Sequence, residues 1–268
     1  MIREFHRSFL IWCHMLALHM SVALTYRAQA AIWMVGGLVP LAMMLIWLEI
    51  ANDGVVGGYN RSDFILYFLG MFFVRQATSV WVLFTLDRSI RRGELSLLLL
   101  RPIPPILQHS AEHIGELILR IPIIISIFLA GVILTGVGSQ ISCTSILLFS
   151  FALIGAWLIV FNLYYCLGLL AFWIGNAIAF DPLLFSLYTM LGGTIIPLDM
   201  FPAGVRMALS YLPFAAALDF PVQLLLGKLD VREIGLGFTV QAAWVIVLSL
   251  IRSTLWYAGL KRYSAAGA

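Results

Sequence analysis

The sequence contains few charged residues. Asp, Glu, Lys and Arg make up 11% of its 268 residues, whereas an ordinary soluble domain contains about 25%. Apolar residues make up 62%, and the mean hydropathy is +1.00. This composition excludes a soluble globular protein and indicates an integral membrane protein. The net charge of +3 is too small and too scattered for a nucleic-acid-binding surface.

Motifs for nucleotide binding and cysteine pairs for metal binding are also missing. The sequence has no G-x-x-x-x-G-K-[ST] motif, and its only Gly-Lys pair, Gly227-Lys228, lacks the following Ser or Thr. Nucleotide binding by a P-loop is therefore excluded. The three cysteines form no C-x-x-C pair and lie in or beside apolar stretches, so we interpret Cys13, Cys143 and Cys166 as free core thiols.

Long apolar runs predict the architecture, because a membrane-crossing helix needs about 20 apolar residues. They predict an all-α integral membrane protein with six transmembrane helices, at residues 28–50, 63–86, 116–137, 142–172, 178–198 and 234–257. Residues 199–233 are broken by Pro202, Pro213 and Pro221, and their apolar run 207–218 has 12 residues. Because such a run is too short to cross, we predict a re-entrant outer hairpin before the last span.

The distribution of Lys and Arg predicts the orientation, because cytoplasmic loops contain an excess of them. With both termini in the cytoplasm, the inner segments contain nine of these residues and the outer segments four. Residues 1–27 are then predicted to form an amphipathic interface helix along the inner surface. The alternative is a seventh span at residues 9–26, which would place the amino terminus outside.

The second predicted span contains Arg75 and Gln76 near its middle. An arginine at this depth is costly and tends to face a bundle interior, a wet cavity or an acidic partner. We therefore predict that Arg75 and Gln76 line a translocation pathway or a subunit interface. The alternative is a structural arginine bonded to helix carbonyls. Arg120 and Asp181, near the inner boundary, are expected to pair with each other as scaffolding.

The longest inner loop, residues 87–115, has the most informative pattern. Arg91, Arg92 and Glu94 are predicted to form a water-facing cluster, and the leucines that follow form an apolar ridge too short to cross. The prolines after the leucines prevent a continuous helix into the next span. This pattern fits a rigid docking loop for a soluble partner and fits equally an interfacial loop held by positive charge. The candidate docking residues are Arg88, Arg91, Arg92, Gly93, Glu94, Leu95, Arg101 and Pro102.

Residues 109–113 match the H-x-x-E-H pattern of a subclass of zinc peptidases. Residues four apart share a helix face, so His109 and His113 could reach one metal ion. The usual third ligand is not evident. An intramembrane zinc hydrolase that uses His109, Glu112 and His113 is therefore an alternative of another class, while our preferred interpretation contains no metal site.

The whole sequence resembles the ABC-2 type permeases. The similarity rests on the six spans, the amphipathic amino-terminal segment, the broken hairpin, and the strings 90–95 and 100–103 of the inner loop. It implies a single transmembrane domain over residues 1–268 with the ABC-2 (type V) exporter architecture. Within the family, the sequence is most similar to a poorly characterised bacterial branch linked to export of hydrophobic or dicationic toxic compounds such as viologens.

This resemblance implies a permease subunit of an ATP-binding cassette exporter in the bacterial cytoplasmic (inner) membrane, surrounded by lipid. Two permeases, identical or paralogous, would join two ATPase subunits, which bind ATP and Mg²⁺ in place of this chain. The chain itself is then expected to be neither an enzyme nor a cofactor-binding protein. Residues 88–101 map onto the loop that couples permease and ATPase.

The resemblance also limits the substrate. A hydrophobic or amphiphilic, drug-like or toxin-like compound is the preferred substrate, and a polysaccharide or lipid-linked glycan is the alternative. A permanent positive charge at Arg75 would repel a cationic substrate in the translocation pathway. Either Arg75 does not face the pathway, or the substrate is not cationic.

Overall fold

The computed structural model describes residues 2–25 and 37–263, and within these ranges the chain is helical and contains no β-strand. The α-helices in chain order are α1 Ile2–Thr25, α2 Val39–Ile50, α3 Arg61–Thr78, α4 Val82–Arg91, α5 Leu95–Leu99, α6 Pro105–Thr135, α7 Cys143–Leu169, α8 Asp181–Leu191, α9 Ala203–Ser210, α10 Pro213–Ala217, α11 Asp219–Leu226 and α12 Val231–Leu260.

Five helical segments are long and apolar enough to cross a membrane. They are Ser8–Thr25, Arg61–Arg91, Pro105–Thr135, Cys143–Phe172 and Val231–Leu260. The apolar helices Val39–Ile50 and Ala177–Leu191 are shorter. The prediction of an all-α membrane protein is therefore confirmed. The segment Ser8–Thr25 overlaps the predicted interface helix and also the alternative seventh span, so its length alone does not distinguish the two.

The helix bounds differ from the predicted spans in three places, at the second, third and fifth spans. The predicted first span is described from residue 37 onwards, and its residues 28–36 lie outside the described ranges. The predicted second span consists of α3 and α4, separated by an extended Ser79. The helix of the third predicted span begins at Pro105, well before residue 116, because proline suits the first turn of a helix. The α-helix of the fifth covers Asp181–Leu191 alone.

Helix α3 forms the centre of the packed bundle. Almost all its residues from Phe64 to Thr78 are buried, and it packs against α2, α6, α7 and α11. It begins with a capping box, in which Asn60 accepts from the Asp63 amide at 2.9 Å and Asp63 accepts from the Asn60 amide at 3.0 Å. Because every face of α3 contacts another helix, its polar side chains must find partners inside the chain.

Helix α1 packs against the first turns of α6. Trp12 Nε1 donates to Ser110 Oγ at 3.0 Å. A Cβ atom at Gly115 would lie 3.2 Å from His19 Cβ and 3.2 Å from the Leu16 carbonyl oxygen. Glycine at position 115 therefore allows the two helix backbones to approach closely. This contact places the middle of α1 at the amino-terminal end of α6.

Residues 199–233 form a compact group of short helices, α9, α10 and α11, as the prolines at positions 202, 213 and 221 predict. Helix α11 packs against α3 and α7, and Phe220 and Leu224 are buried there with Ala152 of α7. Gly227, with φ of 68°, ends α11 in the left-handed conformation that favours glycine. The proline-broken segment is therefore attached to the core by its last helix.

Candidate functional site

The inner loop is a folded unit built from the end of α4, the short helix α5 and the start of α6. Gly93 has φ of 75°, a conformation that favours glycine, and it turns the chain after α4. Leu95 is fully buried beneath this turn. The prolines at 102, 104 and 105 separate α5 from α6, as predicted. The loop therefore has a fixed shape.

The outer surface of the inner loop combines cations and leucines. Arg91, Arg92 and Glu94 are exposed, as the sequence predicts, and so are Arg88, Arg101 and Pro102. Gly93 is half-buried, and the buried Leu95 anchors the loop instead of forming part of its surface. The apolar ridge consists of three exposed side chains. Leu97, Leu99 and Leu100 have exposed fractions of 66%, 41% and 83%.

Three polar side chains that the sequence did not single out brace the loop. Gln108 Nε2 donates to the carbonyl oxygens of Leu98 and Ile103 at 3.1 and 2.8 Å, and Gln108 Oε1 accepts from Arg101 at 3.0 Å. Tyr263, near the carboxyl end, contacts Ser96 Oγ through its hydroxyl at 3.1 Å. The third side chain is Asp87.

The carboxylate of Asp87 is fully buried and connects the loop to the rest of the bundle. Its Oδ2 accepts from Arg91 Nε and from a terminal Arg91 nitrogen, both at 2.7 Å. Its Oδ1 accepts from the amide of Ala177 at 2.9 Å. Arg91 therefore has a structural partner within the chain, whereas Arg88 and Arg92 have no hydrogen-bond or ion-pair partner among the described residues.

Arg75 lies inside the chain, with an exposed fraction of 7%. Its terminal nitrogen NH1 donates to Thr189 Oγ1 at 3.0 Å and to Thr194 Oγ1 at 3.2 Å. Its guanidinium also lies 5.1 Å and 5.5 Å from the ring centres of Phe185 and Tyr188. Hydroxyl groups and aromatic faces thus compensate the charge, and no acidic side chain among the described residues pairs with it.

Gln76 and Arg120 also have contacts inside the chain. Gln76 lies directly against Gly37, where an added Cβ would come within 2.5 Å of Gln76 Nε2. Arg120 does not pair with Asp181, so that expectation is wrong. Arg120 instead donates to Ser79 Oγ at 2.6 Å and to the Ser79 carbonyl oxygen at 3.4 Å. Ser79 has an extended backbone after the end of α3, so its carbonyl oxygen is available to Arg120.

The opposite end of the bundle contains a polar cluster that sequence reasoning missed. Asp199 Oδ2 accepts from Tyr59 and from Gln223 Nε2, both at 2.8 Å. Asp219 Oδ1 accepts from the Tyr67 hydroxyl at 2.9 Å. The pKa of Asp219 is raised to about 7. Burial is the larger cause, and the charge of Asp199 is the next. The five groups come from positions up to 164 residues apart, so no local motif reveals them.

The H-x-x-E-H residues do not form a metal centre by themselves. His109 and His113 are buried against the rings of Tyr165 and Phe161, at centroid distances of 5.7 and 6.1 Å. Glu112 instead lines a cavity beneath the inner loop. In the described ranges, no group of three or more His, Cys, Asp or Glu side chains is arranged to hold a metal ion.

The apolar helices and the helical bundle define a multi-pass membrane protein. A family model described as ABC-2 family transporter protein matches residues 32–267. The chain belongs to this family and is a permease subunit of an ABC transporter. Such permeases are transport subunits that are not themselves catalytic, and they typically work with an ABC ATPase partner. No curated protein matches the chain.

Proposed function

We propose that this permease exports a hydrophobic or amphiphilic, drug-like or toxin-like compound from the cytoplasm, driven by ATP that a separate ATPase hydrolyses. The observation that most supports the ATP-driven part of this proposal is the braced inner loop. There, exposed leucines lie beside Arg88 and Arg92, which have no hydrogen-bond or ion-pair partner among the described residues. Exposed apolar side chains of this number need a partner surface. A loop fixed by Asp87, Gln108 and Tyr263 can transmit a push from that partner to the bundle.

The proposed docking surface comprises the exposed part of residues 88–102. Leu97, Leu99 and Leu100 would enter an apolar groove of the ATPase, and Arg88 and Arg92 would meet acidic groups at its rim. Gly93 and Leu95 set the shape of the loop from below. We further propose two ATPases, which bind ATP and Mg²⁺, and two permeases, identical or paralogous, in a bacterial cytoplasmic membrane.

The length of α6 supports an interfacial position for α1. At 1.5 Å per residue, the 31 residues of α6 extend about 46 Å, whereas the hydrocarbon core is about 30 Å thick. The first turns of α6 therefore extend beyond the core on the inner side, and α1 packs against these turns. We propose that residues 1–27 form the interface helix of a single domain with both termini in the cytoplasm.

The broken fifth span supports the predicted re-entrant hairpin. Helix α8 has 11 residues and extends about 16 Å, too short to cross. The chain that follows is irregular and buried against α3, where the Gly193 carbonyl oxygen accepts from Tyr67 at 2.9 Å. Irregular backbone is tolerated at membrane depth where the protein satisfies its polar groups. Six spans and an outer hairpin, with residues 178–198 as a broken fifth span, remain our proposal.

We propose that Arg75 and Gln76 lie beside the translocation pathway, where Arg75 holds α8 against α3. The hydroxyls of Thr189 and Thr194 and the faces of Phe185 and Tyr188 surround its guanidinium. A charge compensated in this way repels a passing cation less than a bare guanidinium does. The arrangement is therefore compatible with an amphiphilic cation as substrate.

Co-purification with the ATPase tests the docking surface. Leu100→Asp replaces the most exposed leucine of the loop by a charge, so we expect the variant to lose at least about tenfold in ATPase binding, since desolvating a carboxylate is costly. Arg92→Glu is expected to weaken binding in the same direction. Export of a panel of amphiphilic compounds should fall with both variants.

Val231→Asp is the matched control, because Val231 is 87% exposed at the first position of α12, at the opposite end of the bundle. An acidic residue in the first turn is compatible with a helix. This variant should bind the ATPase like the parent. Full ATPase binding by Leu100→Asp and Arg92→Glu would contradict the docking assignment.

A further inference from the structure

A cavity of about 280 Å³ lies beside the inner loop, and Glu94, Leu97 and Arg101 of the proposed docking surface form part of its lining. Helix α1, the end of α4, the loop and the start of α6 enclose it. The polar side chains that line it include Glu94, Arg101, His109 and Glu112. Neither the family match nor the docking surface assigns a role to this cavity.

His109 indicates that the cavity takes a polar ligand. Its side chain is 2% exposed, and neither of its ring nitrogens has a hydrogen-bond partner within the described residues. A buried polar group without a partner is destabilising, and native proteins rarely retain one without a use. A ligand in the cavity that accepts a hydrogen bond from one ring nitrogen would remove the part of this cost that belongs to that nitrogen.

The charges around the cavity have both signs. Arg101 uses one terminal nitrogen to donate to Gln108, and a guanidinium has five N–H donors in total, so donors are left for an anion. Glu94 and Glu112 supply two carboxylates, and neither has a hydrogen-bond or ion-pair partner in the ranges that the structure describes. An anion and a cation on one small molecule match this arrangement.

The size and depth of the cavity identify the class of ligand. Sites for drug-sized molecules usually measure about 300–1,000 Å³, and this cavity is smaller. It lies at the end of α6 that extends beyond the hydrocarbon core, which is the level of the lipid headgroups. Leu98 and Met15 give it an apolar wall on which the glycerol end of a lipid can pack.

We propose that the cavity binds the headgroup of an ethanolamine phospholipid from the inner leaflet. Arg101 and a ring N–H of His109 hold the phosphate. The primary ammonium donates to Glu112, with Glu94 contributing a second negative charge. A bound headgroup ties α1 and α6 to the underside of the docking loop. The inference rests on the proposed interfacial position of α1, and it does not depend on which compound is exported.

Lipid binding to the full chain, purified in detergent, tests the proposal by native mass spectrometry without ATP. Phosphatidylethanolamine, phosphatidylcholine and phosphatidylglycerol are added at equal concentration. The trimethylated choline headgroup lacks N–H donors, and the glycerol headgroup lacks the cation. We therefore expect one phosphatidylethanolamine per chain to bind about tenfold more tightly than either other lipid, the value of one charge-assisted hydrogen bond.

Glu112→Gln keeps the shape of the side chain and removes its charge, so this variant should lose the preference for phosphatidylethanolamine. Glu116→Gln, one turn further along α6 and outside the cavity lining, should keep it. Equal binding of the three lipids by the parent chain, or an unchanged preference in Glu112→Gln, would overturn the proposal. The comparison of lipids on the parent chain needs no variant, so a misfolded variant leaves it decisive. Because no transport is measured, failed export would not affect this result.

Discussion

Two adjacent arginines of the inner loop have different environments. Arg91 forms two 2.7 Å contacts with the fully buried Asp87, whereas Arg92 is exposed and unpaired in the described part of the chain. We expect Arg91→Gln to lower the free energy of unfolding by about 1.5–3 kcal/mol, because the buried carboxylate loses a charged hydrogen-bond donor and keeps the amide of Ala177. Thermal unfolding of the purified chain measures this change.

Arg92→Gln is the same substitution one residue away, and it should change the free energy of unfolding by less than about 0.5 kcal/mol. Its effect should instead appear in ATPase binding. The pair of variants therefore separates stability from docking. Equal destabilisation by the two would show that the Asp87 ion pair does not anchor the loop.

At the scale of the residue, the sequence predicts exposure better than partners. The charge pattern correctly predicted that Arg91, Arg92 and Glu94 are exposed. Asp87 lies four residues before Arg91, the spacing of a helical ion pair. Its burial depends on the Ala177 amide, 90 residues away. The brace by Gln108 likewise depends on the path of the loop, which no pattern of residue types encodes.

At the scale of the element, apolar runs located helices but not their ends. Helix α6 starts at Pro105 because proline suits the first turn, and its early polar residues find partners in α1 and the loop. The helix of the fifth span is short because the chain after Leu191 satisfies its carbonyls through α3 and α2, as in the 2.9 Å bond from Trp47 Nε1 to the Ile195 oxygen. Such tertiary partners override a hydropathy pattern.

The attachment of helix α11 to α3 should depend on pH. The pKa of Asp219, which lies outside the five candidate spans, is about 7 in the folded chain and about 3.9 in an unfolded one. Between these values the folded state keeps a proton that the unfolded state has released, so stability falls as pH rises from about 4 to 7 and is level above. Hydrogen exchange of residues 219–226, corrected for intrinsic rates, should show protection decreasing from pH 5 to pH 7.

Asp219→Asn should remove this pH dependence, because the amide oxygen still accepts from Tyr67 but carries no titrating proton. Asp230→Asn is the control, since asparagine caps a helix about as well as the aspartate that caps α12. The Asp230→Asn variant should show the same decrease of protection with pH as the parent chain. If protection still decreases with pH in Asp219→Asn, another group causes the pH dependence.

At the scale of the whole molecule, polar contacts define two ends of the bundle. At one end, Tyr263 contacts Ser96 of the inner loop, so the carboxyl end and the loop lie on the same side. At the other, Lys228 lies 3.1 Å from Asp63 and 3.6 Å from the ring of Tyr59. The excess of Lys and Arg near the first end is the basis of our proposal that this end lies in the cytoplasm.

Cysteine labelling in intact cells tests this orientation in a background without Cys13, Cys143 and Cys166. Val55→Cys reports the outer end, because Val55 is 69% exposed and, unlike Asn60, caps no helix. Lys261→Cys reports the inner end. We expect a membrane-impermeant maleimide to label position 55 in intact cells and position 261 only after permeabilisation. Labelling of position 261 from outside would contradict the proposed topology.

Ser8→Cys decides between the two interpretations of α1. An interface helix keeps position 8 in the cytoplasm, whereas a span over Ser8–Thr25 places it outside. Our proposal that the first turns of α6 extend beyond the hydrocarbon core favours the first, because residues 12, 16, 19 and 20 of α1 lie against residues 110 and 115 of these turns. We therefore expect position 8 to be labelled only in permeabilised cells, together with position 261. Labelling of position 8 in intact cells, with position 261 still protected, would convert the interface helix into a seventh span and leave the remaining topology unchanged.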